Sequence, residues 1–128
     1  MSNVSWKAEP DEHDYPAAAS YLSLLSPGAQ VGNVVDRLKA ADISYFKAKD
    51  MLRASRLTLL PVDNPHVAAD LEKVHKGKAL SPVLLVRGEL AGGIDLQIAD
   101  GYHRVCASYH TDENTDIPCR IVGLTEPS

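Results

Sequence analysis

The stretch Leu96-Gln97-Ile98-Ala99-Asp100-Gly101-Tyr102-His103-Arg104-Val105-Cys106-Ala107 constrains the fold more than any other. An apolar strand runs through one glycine directly into a helix, with no linker between them. The first turn of a helix leaves N–H groups unpaired and carries the positive end of the dipole, so it attracts anions. Asp100 is placed to cap that helix, Gly101 lets backbone approach a ligand closely, and His103 and Arg104 fall in the first turn. A guanidinium there adds planar, bidentate recognition of phosphate oxygens. The segment reads as a phosphate-binding turn. The plainer alternative is a strand–turn–helix junction whose polar residues face water.

The rest of the chain alternates helices and strands. Ala17 to Leu25 reads as a helix with Pro16 ahead of it, broken by Ser26-Pro27-Gly28. Gln30 to Ala41 places Val31, Val34, Val35 and Leu38 on one helical stripe. The pattern predicts a third helix over Ser44–Ala54 and a short strand over Leu57–Leu60, ended by Pro61. Asp63-Asn64-Pro65 marks a helix start, and Gly77 stops that helix after about Lys76. Val83 to Val86 is continuously apolar, as in a strand buried on both faces. Gly92-Gly93 turns the chain into Ile94–Ala99. A chain of 128 residues without repeats or low-complexity segments is expected to form one domain, with its own core.

Three pieces together resemble the ParB/sulfiredoxin-like superfamily: Leu80-Ser81-Pro82-Val83-Leu84-Leu85-Val86, then Ile98-Ala99-Asp100-Gly101-Tyr102-His103-Arg104, then Asp116-Ile117-Pro118-Cys119-Arg120-Ile121-Val122. The order of these elements is more specific than Asp-Gly-x-x-Arg alone. The resemblance covers Leu57 to Val122, about half the chain. It implies an α/β (α+β) domain: a small mixed sheet of about four strands with packed helices, its core over 57–122, and an N-terminal helical extension over 1–56. It also implies that the turn cradles nucleotide phosphates, with Asp100, Gly101, Tyr102, His103 and Arg104 as ligand-binding residues.

Departures from the superfamily narrow the chemistry. Sulfiredoxins place a catalytic cysteine where this chain has Tyr102, and a phenol cannot replace a thiolate as the attacking nucleophile at sulfur. Partition proteins of the ParB type continue into a helix-turn-helix domain and a dimerisation segment. Six residues follow Val122 here, so the expectation is a stand-alone, bacterial-type single domain. Free serine kinases of the same superfamily keep a related turn, but their catalytic carboxylate has no alignable counterpart in this sequence.

Charge and cysteine content exclude some classes. A net charge of −4 argues against direct, sequence-independent DNA binding, which asks for a basic face. Nothing approaches a transmembrane span, no signal region opens the chain, and a cytoplasmic location with no membrane partner is expected. Cys106 and Cys119 read as small core residues, and no Cys/His set has zinc spacing, so no residue is assigned as a metal ligand.

Catalytic candidates come from the acidic arm before the first helix. Glu12, His13 and Asp14 are suited to hold Mg²⁺ or to act as a general base, the alternative being a solvated acidic arm. If the arm serves the turn, its side chains should lie within about 10 Å of Arg104, room for one metal and its water shell. Lys47, Lys49, Arg53 and Arg56 form a basic segment suited to phosphates or an acidic partner, or else a solvated helix face. His103, beside Arg104 at a helix start, is expected to stay neutral.

The expected ligand is a purine or pyrimidine nucleotide such as ATP or CTP, or another phosphate, with Mg²⁺ as companion. Hydrolysis or phosphoryl transfer would need a positioned acid or base in addition. The alternative is a non-enzymatic interaction module with a protein partner, in a toxin–antitoxin pair or as an accessory to a DNA-associated system. A nuclease would need a tight metal cluster within the matched region, where none is visible.

Overall fold

A strand alternates its side chains, so Val83-Leu84-Leu85-Val86 must be covered on both faces. The structure, a computed structural model, describes residues 4–124 and builds its layers around that strand. Strand β2 (Val83–Arg87) pairs in parallel with β4 (Asp116–Gly123) and antiparallel with β3 (Gln97–Asp100). Strand β1 (Ser44–Lys47) closes the other side of β4 in antiparallel register, giving the order β1-β4-β2-β3.

Alternation then divides the core in two. Val83 and Leu85, with Ile98, Ile117 and Cys119, pack under α3 (Ala48–Ser55), α4 (Pro65–His75) and α5 (Tyr102–Thr111). Leu84 and Val86, with Ala99 and Val122, pack under α1 (Asp14–Leu22) and α2 (Gly28–Ala40). Helix α2 buries the stripe of Val31, Val34, Val35 and Leu38. The result is a small mixed α+β domain, with a four-stranded sheet between two helical layers. Among the described residues no helix is long and apolar enough to cross a membrane.

Two predicted elements differ in kind, while α1 starts at Asp14 rather than Ala17 and β3 is Gln97–Asp100 rather than Ile94–Ala99. The helix expected over Ser44–Ala54 splits at Lys47: Ser44-Tyr45-Phe46-Lys47 is a strand and only Ala48–Ser55 is helical. Aromatic residues suit a pleated surface, and the open side of β4 supplies the ladder that local propensity could not foresee. Within the 1–56 segment, then, α1 and α2 cover one sheet face, α3 packs on the other, and β1 extends the sheet itself. Leu57–Leu60 forms no strand, because α5 side chains take its backbone carbonyls. Tyr102 Oη donates to the Thr58 carbonyl, and His110 Nε2 lies 2.7 Å from the Leu60 carbonyl.

Helix starts follow local chemistry. Asn64 caps α4 by accepting from the His66 and Val67 N–H groups at 3.0 and 3.2 Å, with Pro65 at the first helical position. The N-terminal arm is held by backbone bonds to the residue entering β2. Leu80 N–H donates to the Ser5 carbonyl at 2.9 Å, and Lys7 N–H to the Leu80 carbonyl at 2.8 Å. That pairing carries residues 11–14 to the end of the sheet where β3 gives way to α5.

Candidate functional site

Gly101 is the N-cap of α5, at φ 111° and ψ 14°. Only glycine adopts this conformation without strain. A Cβ here would also collide with Val83 Cγ1 and lie 2.8 Å from Arg104 Nη2. Asp100 was expected to cap the helix, but no side chain caps it. Instead Asp100 Oδ2 accepts from Arg104 Nη2 at 2.8 Å. The glycine turn directs the carboxylate toward the guanidinium four residues on, away from the amides it would have capped.

The acidic arm meets the same guanidinium. Asp14, only 2% exposed, lies with Oδ2 3.9 Å from Arg104 Nη2. The same oxygen accepts from Ser81 Oγ at 2.8 Å and from the Asp11 N–H at 3.1 Å. Asp14, Arg104 and Asp100 thus form a largely buried acid–base–acid group, its arginine side chain 17% exposed. Arg104 Nε is buried without a partner, leaving one guanidinium donor unsatisfied. Burial pushes the Asp100 carboxyl above its ordinary value; Arg104 opposes the rise, and the nearby Asp14 carboxyl adds to it.

A second set of polar groups borders the turn from α4. The His66 and His103 rings stand 4.6 Å apart, tilted by 40°, each in the first turn of its helix. Burial pushes His103 below its usual range, helped by His66 and Arg104 and opposed by Asp70. Burial raises the Asp70 carboxyl, against the pull of Arg104, Lys73 and the two histidines. His103 therefore favours the neutral form, as its position predicted, but burial outweighs the charge effect.

The candidate residues from the sequence are distributed as follows. Asp100, Gly101, His103 and Arg104 line one end of α5, and Asp14 joins them. Tyr102 spends its hydroxyl on the Thr58 carbonyl and packs against the core beneath α5. His13 is on the rim, its Nε2 3.4 Å from Asp14 Oδ1. Glu12 is exposed and takes no hydrogen bond or ion pair within the group.

Asp11 takes the place expected for Glu12: ligand atoms of Asp11, His13 and Asp14 all lie within 4.8 Å of one another. A hydrogen bond from Lys7, at 2.8 Å, holds the Asp11 carboxyl below its usual range. Two carboxylates and an imidazole fit a divalent cation. The oxygens suit Mg²⁺, while the imidazole leans toward a transition ion.

His66, Asp70, Ser81 and Asp11 were not among the sequence candidates. His66 had a signal, since Asn64-Pro65 fixes it in a helix's first turn. Asp70 and Ser81 had none, because only packing brings them to α5.

Compared with known proteins, the chain matches no family model, no curated protein and no solved structure.

Proposed function

We propose that the start of α5 binds a phosphate-bearing ligand, a nucleotide by preference, with a divalent cation held at Asp11, His13 and Asp14. The carrying observation is that an uncapped helix N-terminus lies beside Arg104, with the Asp14 carboxylate 3.9 Å from that guanidinium. The helix end supplies amides and positive potential for phosphate oxygens. His103, favouring the neutral form, can donate one ring N–H to such an oxygen. Asp11 and Asp14 supply the oxygen ligands that a phosphate-bound Mg²⁺ asks for.

In this reading Arg104 acts on the ligand with whatever donor its two carboxylates leave. Its first task is to keep Asp100 and Asp14 beside the turn. Such a site is what the resemblance to ParB/sulfiredoxin-like domains implies. Asp14 or Asp100 is the group to serve hydrolysis or phosphoryl transfer, since either offers a carboxylate next to the phosphate position. A nucleotide ligand and two free, buried thiols suit a cytoplasmic protein.

Thermal denaturation with ATP, CTP or inorganic phosphate, each with and without Mg²⁺, tests the proposal. A ligand bound only by the folded chain raises the melting temperature with the logarithm of its concentration. The expected result is a rise with nucleotide, larger with Mg²⁺. His103→Ala should remove it, while Asp11→Asn should remove only the Mg²⁺-dependent part. A melting temperature unmoved by all three ligands at millimolar concentration would refute the reading.

A further inference from the structure

Of the basic segment, Lys47 ends β1 at the edge of the sheet and Lys49 and Arg53 follow on α3, while Arg56 is paired with Asp95 at 3.0 Å. Strand β1 has β4 on one side and, among the described residues, no strand on the other. Its register shows which backbone groups are unpaired. Opposed residues in an antiparallel pair alternate between hydrogen-bonded and non-hydrogen-bonded. Tyr45 lies opposite Pro118, which has no N–H, while Ala48 N–H donates to the Thr115 carbonyl at 2.9 Å, two residues beyond Phe46. Ser44 and Phe46 therefore bond to β4; Tyr45 turns both its N–H and C=O outward, and Lys47 its N–H alone, because its carbonyl is taken by the first turn of α3.

Side chains alternate as well. Phe46 stands opposite Ile117 and so shares the α3 side of the sheet. There the helical layer is incomplete. A cavity of about 200 Å³ opens between Phe46, Met51, Leu85, Leu96 and Ile121, with Arg87 also lining it. It has room for one apolar side chain.

Lys47 and Lys49 line an adjoining hollow on the outer side of α3 with Asp50 and Arg53, and Asp50 borders both openings. Arg53 is engaged with Asp50 at 3.2 Å. Among the described residues no ion pair holds Lys47, Lys49 or Arg87. In a chain of net charge −4, these cations form a local exception, although Lys47 lies opposite Asp116 in the ladder and its charge helps lower the nearby Asp112 carboxyl.

We propose that the β1 edge binds an extended acidic segment of a partner protein by strand addition, with one apolar side chain seated in the cavity. Outward backbone groups supply affinity, and the cavity and cations supply selection. A lysine on a short edge strand discourages pairing with neutral or basic strands, and carboxylates on the incoming strand remove that penalty. A single-stranded nucleic acid fits less well. Tyr45 and Phe46, as neighbours in a strand, point to opposite faces and give no continuous platform for stacked bases.

The test is a titration of the ¹⁵N-labelled protein with a capped peptide of alternating glutamate and valine. Controls are its glutamine and lysine counterparts and a short oligothymidylate. The acidic peptide alone should shift the Tyr45 and Lys47 amide resonances, slow their hydrogen exchange, and bind more weakly as salt rises. Lys47→Pro is the decisive variant. Lys47 already has φ −74°, and its N–H faces outward, so proline keeps the β1–β4 ladder and removes only the outward donor and the charge. Affinity should fall by about tenfold or more, with the melting temperature kept. The double change Lys47→Glu with Lys49→Glu should abolish binding in a folded protein.

Equal binding by the glutamine peptide would overturn the proposal, as would shifts caused by the oligothymidylate at the same amides. So would an unaltered affinity in Lys47→Pro, or no binding of the acidic peptide at millimolar concentration.

Discussion

Charge gathers in two places in this protein and behaves differently in each. At the start of α5, Asp14, Asp100 and Arg104 are largely withdrawn from water and held by bonds to Ser81, to the Asp11 backbone and to one another. At the β1 edge, Lys47 stands in water, and with Lys49 and Arg87 it has no ion-pair partner among the described residues. The first group has exchanged hydration for fixed geometry, so removing one member leaves the others buried and uncompensated. The second is still hydrated and can be lost at little cost to the fold. Similar residue types thus serve as structure in one place and as an available surface in the other.

The largest test of that contrast is Arg104→Ala. It leaves the Asp100 and Asp14 carboxylates without their shared cation, and stability should fall by about 3–5 kcal/mol, read from urea unfolding. A loss under about 1 kcal/mol would mean that water already screens the group as it does at a surface. Because this change strikes the fold, it is a poor probe of ligand affinity, and His103→Ala serves better there.

Gly101→Ala should come next, at about 1–3 kcal/mol, from the positive φ and from contact with Val83. An unaltered melting temperature would show that the turn relaxes, and with it the Asp100–Arg104 geometry.

Smaller and more specific is the pH response of the α5 end. His103 is lowered below 6.5, so the unfolded chain takes up that proton first. Its contribution to stability is full above pH 6.5 and is lost as pH falls through the folded value. Asp100 and Asp70 run the other way. Their folded values lie above 3.8, so their contribution is full below that pH and is lost as pH rises through the folded values. Urea melts from about pH 5 to about pH 7.5 should show wild-type stability rising through the His103 window, and His103→Asn should flatten the rise. The same slope in both proteins would assign the titration elsewhere.

The smallest effect belongs to the exposed edge. Lys47→Glu with Lys49→Glu should change stability by less than about 0.5 kcal/mol in thermal melts. A loss of several kcal/mol would show that these lysines, too, belong to the fold.

Much of the architecture was legible because it rests on local signals. The Val83–Val86 run required cover on both faces, the α2 stripe sits at helical spacing, and Asn64-Pro65 carries its own cap. The junction at Gly101 was visible for the same reason, since a strand, a glycine and a helix start are each written in adjacent residues. Errors came where a non-local partner decided the outcome. Ser44–Lys47 has enough helical neighbours to be read as helix, yet the free side of β4 makes it a strand. Leu57–Leu60 has strand-like residues, yet Tyr102 and His110 take the carbonyls a ladder would have used.

The sequence by itself determined that a strand, a glycine turn and a helix start meet at Asp100–Arg104, because hydrogen bonding and φ preference act between neighbours. Only the tertiary structure decided what surrounds that turn. The bonds of Ser5 and Lys7 to Leu80 bring Asp14 to Arg104, and the packing of α4 on α5 brings His66 to His103. Those encounters join residues up to ninety positions apart, and burial then sets their charge states. Electrostatic energy depends on distance and on surrounding dielectric, and neither is encoded in the local pattern of residues.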